Sequence, residues 1–100
     1  MSKRTRDWDE GLAQDLKDPI FAREFLLAAI EEEISLQEAI GKVIRCYGVK
    51  EFAEQIKMPS SNVSRAIDPR HNPTQDTLNK LLFPFGLVIG VRLIEEKRFA

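Results

Sequence analysis

The chain has 100 residues, 43% of them hydrophobic and 31% charged, and a formal net charge of −1; this is the make-up of one small globular domain able to bury a single core. No apolar run approaches the roughly 20 residues that span a membrane, and the N-terminal MSKRTRDWDE lacks the apolar stretch of a secretory signal. The single cysteine, Cys46, excludes an internal disulfide and points to a reducing cytoplasm. The near-neutral total conceals an asymmetry. Residues 7–38 hold ten acids against Lys17 and Arg23, net −8, whereas residues 42–71 hold six bases against three acids, net +3. A basic middle suits phosphates; an acidic front suits a basic protein, or is simply a solvated face.

In chain order, DEGLAQDL (9–16) suits a short first helix with acids in its first turn. Asp18-Pro19 is a helix start, because Asp caps and Pro is tolerated at the first helical position. The spacing of Ile20, Phe21, Phe25, Leu26, Ala29 and Ile30 predicts that these residues form one buried face. Ser35-x-x-Glu38 is a capping box opening the next helix. Its buried stripe is expected to be Leu36, Ile40, Val43, Ile44 and Tyr47, and Gly48 is placed to end it in a left-handed conformation. KEFAEQI (50–56) reads as a short helix with Phe52, Ala53 and Ile56 inward. Residues 68–73, DPRHNP, are a loop, Thr74 caps a helix carrying Leu78, Leu81 and Leu82, and Pro84 and Gly86 close it. LVIGVRLI (87–94) changes period and predicts a single β-strand. A lone strand needs a partner for its backbone. That partner is a second copy of the chain across a two-fold axis, a strand of another protein, or the chain's own helices against which the segment folds back.

Residues 49–67 have the pattern of a helix-turn-helix, two short helices meeting steeply across a tight turn. Ala53 permits close crossing, and Phe52, Ile56, Met58, Val63 and Ile67 are placed to lock it. The second helix leaves Ser60, Ser61, Asn62, Ser64 and Arg65 on a polar leading edge, short or flexible enough to approach base edges. Arg65 offers a bidentate fork to guanine O6 and N7. Asn62 suits an adenine or a phosphate, and Ser60 and Ser61 suit bases or phosphates. Lys42, Arg45, Lys50, Arg70 and His71 are candidates for flanking phosphate contacts.

VKEFAEQIKMPSSNVSRAI (49–67) resembles the helix-turn-helix of the XRE, or lambda-repressor-like, family. LKDPIFAREFLLAA, YGVKEFAEQI, SSNVSRAI and NPTQDTLNKLLFPFGL extend the likeness over about residues 12–94. There the chain is similar to the small bacterial addiction-module antidote proteins (HigA-like antitoxins). The resemblance implies a mainly α, lambda-repressor-like fold with an N-terminal helical extension and a short C-terminal β-strand. The layout expected within the single domain 1–100 is helices over 7–48, helix-turn-helix over 49–67, a further helix over 74–84 and the strand over 87–94. It also implies binding to a RelE/ParE-type toxin and autoregulation of the operon through its promoter. The expected protein is a cytoplasmic, homodimeric regulator that binds double-stranded DNA at a palindromic operator, with a module that mainly masks a basic toxin, or a stand-alone repressor without one, as the alternatives. By match to the family motif, Ser60, Ser61 and Arg65 fall on base-facing positions. Two positions depart from the family. Where the family turn carries Gly, this chain has Lys57, so either Lys57 is left-handed, at about 1 kcal/mol relative to Gly, or the turn differs. Pro59 replaces the usual Ser or Thr and cannot supply a capping oxygen, which leaves Ser60 as the candidate cap.

An enzyme is not expected. One His and one Cys are too few for a zinc site, no phosphate-binding glycine spacing occurs, and Cys46 has no adjacent base. Neither a cofactor nor a metal is implied. The site residues expected to carry DNA binding are Ser60, Ser61, Asn62, Ser64, Arg65, Lys50 and Arg70.

Overall fold

Asp18 and Pro19 start the first long helix as the sequence suggests. In the computed structural model, which describes residues 11–91 apart from Ala13, the Ile20 N–H donates to Asp18 Oδ1 at 2.9 Å. The described chain is mainly α-helical: α1 (Pro19–Glu31), α2 (Leu36–Tyr47), α3 (Val49–Ile56), α4 (Ser60–Ala66) and α5 (Gln75–Leu82), followed by a 3₁₀ turn over Phe83–Phe85. Before α1, Gly11, Leu12, Gln14 and Asp15 are helical and Leu16 is buried, while Asp9 and Glu10 of the expected first helix lie outside the described residues. No helix among the described residues is long and apolar enough to cross a membrane.

The ends of the helices follow local chemistry. Ser35 caps α2 by accepting the Glu38 N–H at 3.4 Å, and Thr74 caps α5 by accepting the Thr77 N–H at 3.1 Å. α1 and α3 both end in Schellman motifs. Ile34 N–H donates to Ala29 O at 2.9 Å around a left-handed Glu33 (φ 65°), and Met58 N–H donates to Ala53 O at 3.0 Å around a left-handed Lys57 (φ 59°). The turn thus takes the first of the two options left by the sequence, with Lys where Gly would fit without strain. Lys57→Gly is expected to stabilise the fold by about 1 kcal/mol, raising Tm by roughly 4–8 °C. Thermal melts of Lys57→Gly beside Glu33→Gly, the equivalent position of α1, check this; an unchanged or lowered Tm in both would refute it.

α2 is the centre of the core and packs against α1, α3 and α5. Its Ile40, Val43 and Ile44 are fully buried, with Leu26 from α1, Val63 from α4 and Leu81 from α5 around them. Phe52 of α3 meets Tyr47 edge-on at 6.0 Å and stacks on Phe85 at 6.1 Å. The expected inner face of α1 is corrected. Ala22, Leu26 and Ala29 are buried, whereas Ile20 is 64% exposed and Phe21 and Ile30 also face solvent. α1 carries apolar residues on its outer side as well as its inner one, so hydrophobic spacing alone overstates the buried arc; that arc is Ala22, Leu26 and Ala29.

No strand occurs among the described residues, and residues 92–94 of the expected strand lie outside them. Residues 87–91 follow the third route. Leu87 and Ile89 pack on the core, and the Ile89 N–H donates to Asn79 Oδ1 at 2.7 Å. Val88 and Val91 point outward. The in-and-out alternation at 87–89 is present, but the ladder partner that makes a strand is not supplied by these helices.

Candidate nucleic-acid interface

α4 is only seven residues long, and its sequence divides cleanly. Val63, Ala66 and the following Ile67 are buried, while Ser61, Asn62, Ser64 and Arg65 are exposed and Ser60 is half-buried. At 100° per residue, Ser61 and Arg65 stand at the middle of the outer arc, Ser64 and Asn62 on its two flanks and Ser60 at the margin on the Ser64 side. The Lys57-Met58-Pro59 turn joins α4 to α3, where Phe52 and Ala53 are buried and Ile56 and Met58 pack at the edge of the core.

The expected cap is corrected. Pro59 occupies the N-cap position with ψ 138°, no side chain caps the helix, and Ser60 is the first helical residue. Pro59 already has the extended backbone that an N-cap needs, so the Ser60 hydroxyl is left uncommitted.

Each flank of α4 borders a concavity. Asn62 and Arg65 line a groove of about 800 Å³ that runs over the turn (Lys57, Pro59), the loop (His71, Asn72) and the near face of α5 (Thr77, Lys80). Ser60 and Lys50 line a smaller one of about 400 Å³ between α3 and α4, with Lys57 shared between the two. Four cationic or protonatable side chains, Lys57, Arg65, His71 and Lys80, therefore border one groove. Lys80 lies 3.5 Å from Asp76 in an exposed pair, an interaction of little strength in water. Among the described residues no ion pair or side-chain hydrogen bond holds Arg65.

Arg70 stands apart from both grooves. Its Nε and Nη2 donate to the two carboxylate oxygens of Asp68 at 3.1 and 2.8 Å, and its backbone N–H donates to Asp68 Oδ1 at 2.9 Å. These bonds hold the Asp68 carboxyl well below the usual carboxylate range. An Arg expected to face phosphate thus has its fork filled by an acid two residues away, which weakens it as a phosphate ligand. Arg45 is also diverted: Nη2 donates to Ile67 O at 3.3 Å. Lys42 and Lys50 are exposed.

The sequence places Ser60, Ser61, Asn62, Ser64 and Arg65 on one leading edge and Lys50 as a flanking contact; the structure exposes Ser61, Asn62, Ser64 and Arg65 and moves Ser60 to the half-buried margin beside Lys50. Sequence reasoning missed Lys57, Asn72, Thr77 and Lys80 as groove residues. The spacing Thr74–Thr77–Lys80, opposite Leu78, Leu81 and Leu82, is a readable polar stripe for two of them. It also missed Gln37, whose Nε2 lies within 2.8–3.0 Å of the carbonyl oxygens of Ala66, Asp68 and His71. Compared with known proteins, the chain matches no family model, no curated protein and no solved structure.

Proposed function

We propose that the protein is a sequence-specific, DNA-binding transcriptional regulator. In this reading α3, the Lys57–Pro59 turn and α4 are a lambda-repressor-like helix-turn-helix, with α4 as the recognition helix. A homodimer lays one α4 in each of two successive major grooves, about 34 Å apart on one side of a palindromic operator. Arg65 reads a guanine, and Asn62, Ser61 and Ser64 contact neighbouring bases or phosphates. Lys50 on one flank, Lys80 on the other and Lys57 between the two meet the two backbones. The observation that carries the reading is the register of α4: its two apolar positions, Val63 and Ala66, and the following Ile67 are buried, and its outer arc holds Ser, Asn and Arg with no competing ion pair among the described residues. A two-fold contact through the C-terminal end is supported by Phe83, 81% exposed, and Val88, 73% exposed, which form an outward apolar surface there.

Selection of the full chain against a random-sequence duplex library tests this. The expected product is a two-fold symmetric site with half-site centres about 10 bp apart, bound with strong salt dependence. No enrichment over bulk duplex would defeat the proposal.

By its resemblance the regulator is further proposed to be the antitoxin of a type II toxin–antitoxin pair that represses its own operon. The exposed arc of α1 favours a protein-binding role as a second reading. Ile20, Leu27 and Ile30 stand there among the exposed Glu24, Glu31, Glu32 and Glu33, and an apolar surface rimmed by acids suits a basic RelE/ParE-type toxin. Co-purification with the product of the adjacent gene tests it. A short basic partner held at stoichiometric ratio is expected, and its absence would leave a stand-alone repressor.

A further inference from the structure

We propose that Gln37 is a positioning residue, whose side-chain amide fixes the C-terminal end of α4 and the loop after it and thereby sets how Arg65 and His71 face the groove. The inference rests on the DNA-binding reading above. Its ground is the way α4 ends. α1 and α3 close their last carbonyls with a left-handed residue, Glu33 and Lys57. α4 does not: Asp68, the residue after its C-cap Ile67, has no positive φ. The last carbonyls of a helix lack partners within it, and here donors from α2 take that place. Gln37 Nε2 donates to Ala66 O at 2.8 Å, to Asp68 O at 3.0 Å and to His71 O at 3.0 Å, and Arg45 Nη2 donates to Ile67 O at 3.3 Å.

The three carbonyls acceptor to Gln37 belong to residues 66, 68 and 71, so the loop curls around one amide. That amide has two hydrogens for three acceptors and shares one of them. Gln37 itself stands in the first turn of α2, the helix whose Ile40, Val43 and Ile44 are buried at the centre of the core. A rigid element thus grips a seven-residue helix at the end where its long cationic side chain emerges. Arg65 is one residue before Ala66, and both Arg65 and His71 line the groove. Readout of a base edge requires side chains held within roughly 0.5 Å of the productive geometry, which two turns of helix do not supply unaided.

The test separates donors from packing. Gln37→Met keeps the volume and removes the donors. Gln37→Glu sets a carboxylate against three carbonyls. Gln37→Lys restores donors alone, three N–H groups for three acceptors. Two readouts are taken on each variant: amide exchange at Asp68 and His71, whose N–H groups close this loop, and the ratio of affinities for the library-selected duplex and a scrambled duplex of the same composition. Gln37→Met and Gln37→Glu are expected to speed exchange at both amides and to lower the ratio by at least about tenfold, with scrambled-duplex affinity retained. Gln37→Lys is expected to restore both. Wild-type exchange in a folded Gln37→Met would overturn the clamp, as would a Gln37→Lys variant that behaves like Met. Wild-type discrimination in Met with fast exchange would overturn the positioning role. Failure of the wild type to select any duplex removes the DNA reading and this role with it, while the exchange measurements still judge the clamp by themselves.

Discussion

Arg65→Ala is expected to lose discrimination for the selected operator while melting as the wild type does. The fold should not notice the change. Arg65 is exposed, has no ion pair among the described residues, and Ala is the best helix former; exposed substitutions of this kind stay within about 0.5 kcal/mol. The binding cost is larger, because a bidentate Arg–guanine contact is worth about 1–3 kcal/mol and a two-fold complex contains it twice. The expected loss is therefore roughly 30-fold to above 10⁴-fold for the selected duplex, with little change for a scrambled one. Lys50→Ala is the contrast. It borders the α3 side of the interface rather than the outer arc, so it should weaken all duplexes alike and lower the salt slope by about 1 per subunit. Titrations at several salt concentrations read both effects. Wild-type affinity of Arg65→Ala for the selected site would remove Arg65 from the interface, and equal losses on both duplexes would make it a phosphate contact.

How much of the fold and of the candidate interface is legible in the sequence follows from the range over which each residue acts. Asp18-Pro19, Ser35, Gly48 and Thr74 act on backbone atoms within a few residues of themselves, so each was legible as a start or a stop; each is found there, although Gly48 ends α2 with φ 112° and ψ 118° rather than in the left-handed helical conformation expected. The polar arc of α4 was legible because its apolar positions, Val63, Ala66 and Ile67, coincide in period with a polar remainder. The inward arc of α1 was legible only in part: Glu24 and Glu31 mark its outer side, but Ile20, Leu27 and Ile30 stand there too, so hydrophobic spacing does not bound the buried arc. Gln37 and Asn79 were not legible for a different reason. Their acceptors and donors are backbone groups that the sequence places far away, 29 to 34 residues in the case of Gln37, and only packing brings them near. Arg70 shows the reverse error. A basic residue in a loop reads as available until the geometry of Asp68, two residues before it, is known.

Phe52→Ala should have the largest effect on the fold, and it would reach the proposed DNA binding only through stability, a route unlike that of Arg65→Ala. Phe52 is 2% exposed. Its ring stands edge-on to Tyr47, at the end of α2, with 80° between planes, and lies nearly parallel to Phe85, in the 3₁₀ turn, with 12° between them. One side chain of α3 therefore joins two elements that have no other aromatic link among the described residues. Truncation removes the transfer energy of the ring, opens a cavity and breaks both ring pairs, a loss of about 3–5 kcal/mol. Domains of this size hold about 5–15 kcal/mol in all, so Tm should fall by roughly 12 °C or more, and urea unfolding should shift to a lower midpoint at unchanged slope. Phe52→Leu keeps most of the apolar volume but no ring, and should lose much less, with the ring–ring share at about 0.5–1.5 kcal/mol. Below its own melting temperature Phe52→Leu should still discriminate between selected and scrambled duplexes, because α4 and its outer arc are untouched. A Phe52→Ala loss under about 1 kcal/mol, far short of what a cavity of that size costs, would mean that the Tyr47–Phe52–Phe85 stack does not anchor α3. A folded Phe52→Leu that had lost discrimination would mean that the stack controls the position of α4 as well as its stability.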